Sequence, residues 1–367
     1  MKVRIICKEN VHSWILGKFA LKMQSCLKEL GVNCEIGTEP DETADINHNI
    51  IYYEYDGRSE GVNTMMITHI DEFGKLQMIR DSLKTSSMGI CMSNQMMHWL
   101  GSMGVDKTKL SYVDPAHDGC ALIKKYVIGI ASRVYSDGRK REYFFERFAK
   151  DLDPRIFEFK FMGAGWEKQV EILKDNGFSV AYFNEFVRKE YYKFIQSLDY
   201  YLYTGTDEGQ MGFVDAAAAG VPSIVTPQGY HLDAPEALTY PFWEYDDLVK
   251  ILLDLQTKKL KLINSVETWT WMDYTKKHLE IWKYLLGESC DSKYKDGLNA
   301  HLDFVNDETA GIKNKDFILQ EEARLLEIDK LHANNKEKNV STPVNNPFIT
   351  RIYRAIRRRI KILFVKN

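Results

Sequence analysis

The chain has 367 residues, a formal net charge of −3, and 44% hydrophobic against 28% charged residues. That length can bury two substantial cores, and the composition is ordinary for a water-soluble globular protein. The near-neutral balance argues against nucleic-acid binding by the whole surface, and no apolar run approaches the eighteen or so residues that a spanning helix requires.

Lys2 to Cys7 reads as a strand, Ser13 to Leu30 as a helix stopped by Gly31, and Val32 to Ile36 as a second strand. Ile50 to Tyr55 and Thr64 to Thr68 continue as strands, and Ile90 to Ser93 leads into a helix over Gln95 to Met103. The pattern restarts with a strand at Tyr126 to Ala131 and a helix over Arg141 to Lys150. Phe157 to Met162, Phe178 to Phe183, Tyr200 to Tyr203 and Ser223 to Thr226 read as further strands with helices between them. Alternation of this kind predicts two βα domains with a boundary near Lys124. The six cysteines are scattered with no CxxC pair, and Met1 runs straight into a strand with nothing like a signal peptide. Free thiols in a reducing cytosol are expected.

Thr206 to Gly229, TDEGQMGFVDAAAAGVPSIVTPQG, carries the densest chemistry. A strand precedes it, Met211 to Ala219 reads as a short helix stopped by Gly220 and Pro222, and a strand follows from Val221. This is a βαβ unit, so the loop at the helix N-terminus lies at the carboxyl edge of a parallel sheet, where open α/β sheets bind ligands. Gly209 and Gly212 let backbone N–H groups approach a phosphate closely. The neighbouring acids, Asp207, Glu208 and Asp215, suit sugar and ribose hydroxyls rather than phosphate. A nucleotide-sugar offers both, and an acidic loop capping a helix is the competing reading.

These stretches resemble the retaining GT-B glycosyltransferases, in particular glycosyltransferase family 4, over roughly residues 1–287 and most clearly over 126–236. The resemblance implies an α/β fold of two Rossmann-like domains facing across a cleft, here with a C-terminal helical extension. Expected boundaries are 1–124 for the acceptor domain, 125–270 for the nucleotide-sugar domain and 271–287 for a helix crossing back. A polar and helical linker region follows over 288–345, and a basic segment over 346–367. Asp215-Ala-Ala-Ala-Ala-Gly-Val-Pro222 resembles the second half of the family's two-glutamate motif, which places Asp215 on the ribose hydroxyls. Asp207 keeps the family spacing for the first acid, whereas Glu208 has the Glu-Gly pairing; one of them is expected on the donor sugar. Gly129-Ile-Ala-Ser-Arg-Val134 resembles the strand that places an arginine by the diphosphate, so Arg133 takes that role, with Arg139 or Lys140 as the second cation. Gly163 falls in a stretch that resembles the family's Gly-x-Gly turn, and the resemblance places Phe183 and Asn184 where main chain meets the base and His69, after a strand, near the donor sugar. His69, Arg133 and Glu208 are the residues expected to act in the transfer.

The implied activity moves a sugar from a UDP- or GDP-sugar to an acceptor hydroxyl with retention. It needs no cofactor and no metal, and it fits polysaccharide or glycolipid synthesis at the inner face of a membrane. A nucleotide-sugar epimerase, a sugar phosphorylase and a non-catalytic scaffold of the same fold remain open at this point. The first loop, Lys8 to Gly17, lacks the family's Gly-Gly pair, so acceptor binding does not transfer. Asn334 to Asn346 reads as a polar, proline-containing linker. In the final segment, Ile349, Ile352, Tyr353, Ile356, Ile360 and Leu363 would line one helix face, with Arg351, Arg354, Arg357, Arg358, Arg359 and Lys361 on the rest. That pattern predicts a peripheral helix on anionic lipid beside a glycan or lipid-linked acceptor. Docking on the protein's own first domain or on nucleic acid are the rival readings of the segment, and no nucleic-acid partner is expected.

Overall fold

The structure, a computed structural model, describes residues 1–338 apart from 58, 120–122, 291–292 and 310–313. The expected basic helix over 346–367 therefore lies outside the described residues. The chain divides into two compact units, His117–Thr270 on one side and Met1–Ala116 with the chain from Trp271 onward on the other. The first division thus falls after Ala116, where the sequence placed it near Lys124.

The first unit opens with β1 (Lys2–Ile6), α1 (Ile15–Glu29), β2 (Asn33–Gly37), β3 (Ile46–Asn49) and β4 (Val62–Ile67). It continues with α2 (Phe73–Thr85), β5 (Met88–Cys91), α3 (Asn94–Ser102) and β6 (Leu110–Tyr112). All pairings are parallel, in the order β2-β1-β3-β4-β5-β6. One element corrects the sequence reading. Ile50 to Tyr55 is not a strand: a 3-10 turn occupies Tyr52–Glu54, and the strand lies earlier, over the polar stretch Ile46–Asn49. Polar residues are tolerated in that buried strand because partners meet most of their polar atoms, His48 Nε2 having none among the described residues. Asn47 exchanges hydrogen bonds with the Asp41 main chain at 2.8 and 3.0 Å, and His48 Nδ1 meets Thr64 Oγ1 at 2.9 Å.

The second unit contains β7 (Tyr126–Ala131), α4 (Phe144–Asp151), β8 (Phe157–Met162), α5 (Glu167–Asp175) and β9 (Ser179–Phe183). Then come α6 (Arg188–Gln196), β10 (Tyr200–Tyr203), α7 (Met211–Ala218), β11 (Ser223–Val225), β12 (Tyr240–Pro241) and α8 (Tyr245–Asn264). Its sheet is also fully parallel, ordered β12-β11-β10-β7-β8-β9. Phe145, Phe148, Phe159, Phe161 and Trp166 pack at its centre with 2% exposure or less. Each such side chain contributes about 1.5–3 kcal/mol by leaving water. Helix α7 ends as its sequence predicts: Gly220 adopts φ 73°, and Val221 N–H donates to Ala216 O at 2.8 Å in a Schellman closure. The helix expected from Arg141 starts only at Phe144, because Arg141 takes φ 47° and its guanidinium is buried.

The chain then returns to the first unit through α9 (Trp271–Leu285), α10 (Asp296–Asn306) and α11 (Lys315–Lys338). Phe19 of α1 meets the Trp271 and Tyr274 rings edge-on, with centroids 4.9 and 5.6 Å away. Two further readings change here. The polar stretch after Glu288 holds helix α10, which buries Leu298 and Phe304, and the stretch expected to be linker from Asn334 is helical through Lys338. The charged residues around those few apolar positions hid α10. Both six-stranded sheets are thus Rossmann-like, as expected of the GT-B class.

Candidate functional site

In the second unit the chain runs outward from β7 through β8 to β9, then returns to the other side of β7 with β10. The β7/β10 gap is therefore the topological switch point, and the segments leaving those two strands border the crevice. They are 132–141 and 204–212, and they contain Arg133, Arg139, Lys140, Asp207, Glu208, Gly209 and Gly212.

The exit of β7 is held from the side of β8. Trp166 Nε1–H donates to Ser132 O at 2.7 Å, and Val134 N–H donates to Ala164 O at 2.9 Å. Gly163 has φ 126°, and a Cβ there would collide with Ser132 O. The Gly-x-Gly turn therefore lets β8's exit cross directly over the Ser132–Arg133 peptide. Ser132 is buried, and its Oγ has no hydrogen-bond partner among the described residues. Arg133 is exposed and makes no ion pair among the described residues. Its guanidinium lies 5.8 Å from the centre of the Tyr135 ring, which also has Arg139 at 4.1 Å and Lys140 at 5.9 Å.

The rest of this loop is stitched to the exit of β10. Thr206 N–H donates to Arg139 O at 2.9 Å, and Thr204 Oγ1–H donates to Lys140 O at 2.5 Å. Arg141 anchors it from below, giving hydrogen bonds to Thr204 O, Trp243 O and Thr226 Oγ1. The two candidate second cations then differ. Arg139 is partly exposed, with its Nε 3.5 Å from Asp137 Oδ2. Lys140 is buried, with its Nζ donating to Tyr203 Oη and, at 2.7 Å, to Asp207 Oδ2.

Asp207 and Glu208 also part company. Tyr203 Oη–H donates to Asp207 at 2.7 Å, and Gly209 N–H meets the same carboxylate at 3.3 Å. Burial pushes this carboxyl up, but the hydrogen bonds from Lys140 and Tyr203 outweigh it and hold it below its ordinary range. Glu208 is exposed; its main-chain O accepts from Tyr230 N–H at 3.3 Å, while its side chain has no hydrogen bond or ion pair among the described residues. Gly209 adopts φ 110° against the Tyr230 and His231 rings. Gly212 leaves room for the Tyr201 phenol, and its N–H donates to Gln210 Oε1 at 3.1 Å. In this state the α7 N-terminus is thus capped by Gln210, whose Nε2 also reaches Ala131 O at the end of β7. Gln210 N–H donates to His231 Nε2 at 2.9 Å, so that nitrogen is an acceptor and Nδ1 carries the proton towards Thr226 O, 3.1 Å away. Burial holds this imidazole below its ordinary range, and it is neutral.

Asp215 sits on α7 and accepts from Tyr191 Oη–H at 2.7 Å, which leaves its Oδ1 without a hydrogen bond among the described residues. Phe183 ends β9, gives its carbonyl to Gly163 N–H at 2.8 Å, and is 36% exposed; Asn184 follows it in the open. His69 belongs to the first unit, is exposed, and has Nε2 3.8 Å from Asp71 Oδ2. Tyr135, Tyr203, Gln210 and His231 were missed in the sequence. Tyr203 and His231 have no local signature, because the buried Lys140 and the Gln210 N–H that they meet lie on other segments, whereas Tyr135 and Gln210 stand two residues from Arg133 and Gly212 in the sequence. Among the described residues no group of three His, Cys, Asp or Glu is placed to hold a metal ion.

No family model matches the sequence, and no curated protein matches it. Solved structures do. The lipopolysaccharide outer core galactosyltransferase WaaB is 13% identical, with 76% of this chain and 99% of that one covered and a TM-score of 0.31. HepE of Anabaena, solved with UDP and glucose, is 12% identical over 77% and 100%, with a TM-score of 0.31. A glycosyltransferase from Rickettsia africae is 13% identical over 78% and 99%, with a TM-score of 0.32. At such values the functional reading rests on the residues of this chain.

Proposed function

We propose that the chain is a glycosyltransferase that binds a nucleoside-diphosphate sugar at the β7/β10 switch point and passes the sugar to an acceptor hydroxyl. The observation that carries the reading is one juxtaposition. Arg133, exposed and without an ion pair among the described residues, leaves β7 beside the orphaned Ser132 hydroxyl, and an exposed acid, Glu208, leaves β10. A guanidinium at that place stabilises the charge that grows on a departing diphosphate oxygen. Asp215, with one oxygen free of hydrogen bonds among the described residues, takes the ribose hydroxyls. Glu208 rather than Asp207 contacts the donor sugar, since Asp207 is occupied by Lys140 and Tyr203. Retention and metal independence follow from the resemblance to family 4. His69 is assigned to the sugar on that resemblance alone.

The acceptor side rests on the sequence of 346–367, whose apolar stripe and basic residues suit anionic lipid and so a lipid-linked acceptor. No described helix is long and apolar enough to cross a membrane. Thermal shift with UDP, GDP and their sugars tests the donor reading, since a ligand of the folded state raises its apparent stability. A shift with one nucleotide series, followed by acceptor-dependent release of the diphosphate, is the expected result. No shift with any of them would sink the reading; conversion of the sugar without acceptor would make the protein an epimerase. Co-sedimentation with anionic and neutral vesicles, with and without residues 346–367, tests the membrane part.

A further inference from the structure

We propose that Tyr135 is a positioning residue, whose ring gathers the Arg133 and Arg139 guanidinium groups into a two-armed clamp for the donor diphosphate. The inference rests on the nucleotide-sugar reading above. Three cations lie within 6 Å of the centre of this one ring, at 4.1 Å for Arg139, 5.8 Å for Arg133 and 5.9 Å for Lys140. Like charges on flexible side chains spread apart in water, so such a cluster needs an attractor. The negative face of an aromatic ring supplies one.

The remaining charges show what the cluster is for. Lys140 is matched by Asp207 at 2.7 Å, and Arg139 is partly matched by Asp137 at 3.5 Å. Arg133 has no carboxylate among the described residues. The group therefore keeps a positive excess at an exposed guanidinium, one residue after the buried Ser132, whose Oγ has no partner among the described residues. An anion with several oxygens satisfies both arms, and the planar donor forks of arginine suit phosphate. Tyr135 is 42% exposed, so burial does not account for an aromatic residue there. Its backbone is fixed: Val134 N–H binds Ala164 O at 2.9 Å, Gly138 N–H binds Tyr135 O at 3.3 Å, and Thr206 N–H binds Arg139 O at 2.9 Å. A rigid loop under a π face holds two long side chains near their bound geometry, which lowers the ordering cost when diphosphate arrives.

The test measures binding of UDP, GDP, uridine and guanosine by ligand-observed NMR and calorimetry, on the full chain and on Tyr135→Ala and Tyr135→Phe. Tyr135→Ala is expected to weaken the diphosphate by about 3–10-fold, the range of one or two cation–π contacts. It should leave the matching nucleoside unchanged. Tyr135→Phe, which keeps the ring face, should bind the diphosphate as wild type does. Diphosphate binding by Tyr135→Ala equal to wild type would overturn the inference. So would an equal loss for nucleoside and diphosphate, which marks a merely structural role, or a Tyr135→Phe variant as weak as Tyr135→Ala. If wild type itself binds neither diphosphate, the donor reading fails and takes this inference with it.

Discussion

The two sheets have a switch point each, and they furnish it with opposite chemistry. In the second unit the segment leaving β7 displays cations around an exposed ring, beside the acids Asp207 and Glu208 of the segment leaving β10. In the first unit the switch point lies between β1 and β3, and its loops turn a carboxylate inward. Glu54 is 5% exposed, and both its oxygens accept from Lys8 N–H, at 3.1 and 3.0 Å. Lys8 Nζ closes the clamp on Glu54 O at 2.9 Å. Burial pushes the Glu54 carboxyl up to about 7, although the Lys8 N–H and charge oppose it. Parallel strand order decides where a crevice opens, and the side chains of two loops decide whether that edge fastens to itself or offers charge to a ligand.

The contrast predicts its largest effect within the second unit. Asp207→Ala strands Lys140 in a buried site and should cost about 3 kcal/mol of stability. Glu208→Ala should cost under about 0.5 kcal/mol, since its side chain is exposed and has no hydrogen bond or ion pair among the described residues, while lowering turnover. Hydrogen exchange in peptides from β10 and α7 reads the first effect. Equal stabilities for the two variants would erase the distinction drawn between these acids.

Next comes the first unit's carboxyl. A folded-state pKa of about 7 lies above the unfolded value near 4.3, so the folded form holds the proton more tightly. Its stabilising effect is complete below about pH 4.3 and is lost as pH rises through 7. Relative to Glu54→Gln, the wild type should therefore lose about 3 kcal/mol between pH 4 and 8. Parallel pH profiles for the two proteins would refute the inward-facing carboxylate.

Arg133→Ala and Asp215→Ala should each weaken nucleoside diphosphate by about 2 kcal/mol, the loss of one charge-assisted hydrogen bond, with the fold intact. Unchanged affinity in both would move the donor site off the β7/β10 edge. The smallest effect concerns His231, which burial holds neutral. Its folded pKa is lowered, so its contribution is present above the unfolded value of about 6.5 and falls away as pH drops below it. Hydrogen exchange around β11 and α7 between pH 7 and 5 should show this loss in wild type and less of it in His231→Gln.

Much of the second unit was legible because its signals are local. Strand β7, helix α7 and its Gly220 closure follow from periodicity and from backbone conformations that glycine allows. Strand β3 was not legible, since Asn47, His48 and Asn49 look like loop residues until Asp41 and Thr64 are found beside them. Arg141 was read as the start of a helix for the same reason: its three acceptors lie on segments far along the chain.

By itself the sequence determined two parallel α/β sheets, an acid-rich loop at a carboxyl edge, and an arginine leaving the opposing strand. Pattern and turn chemistry act over a few residues, so these were written locally. Only the tertiary structure decided that Lys140 belongs to Asp207, that Gln210 caps α7 while strapping it to β7, and that Tyr135 gathers the arginines. The first two pairings depend on which strands end side by side, and strand adjacency follows from packing of the whole sheet rather than from any short stretch of chain; the third depends on how the loop leaving β7 folds back on itself.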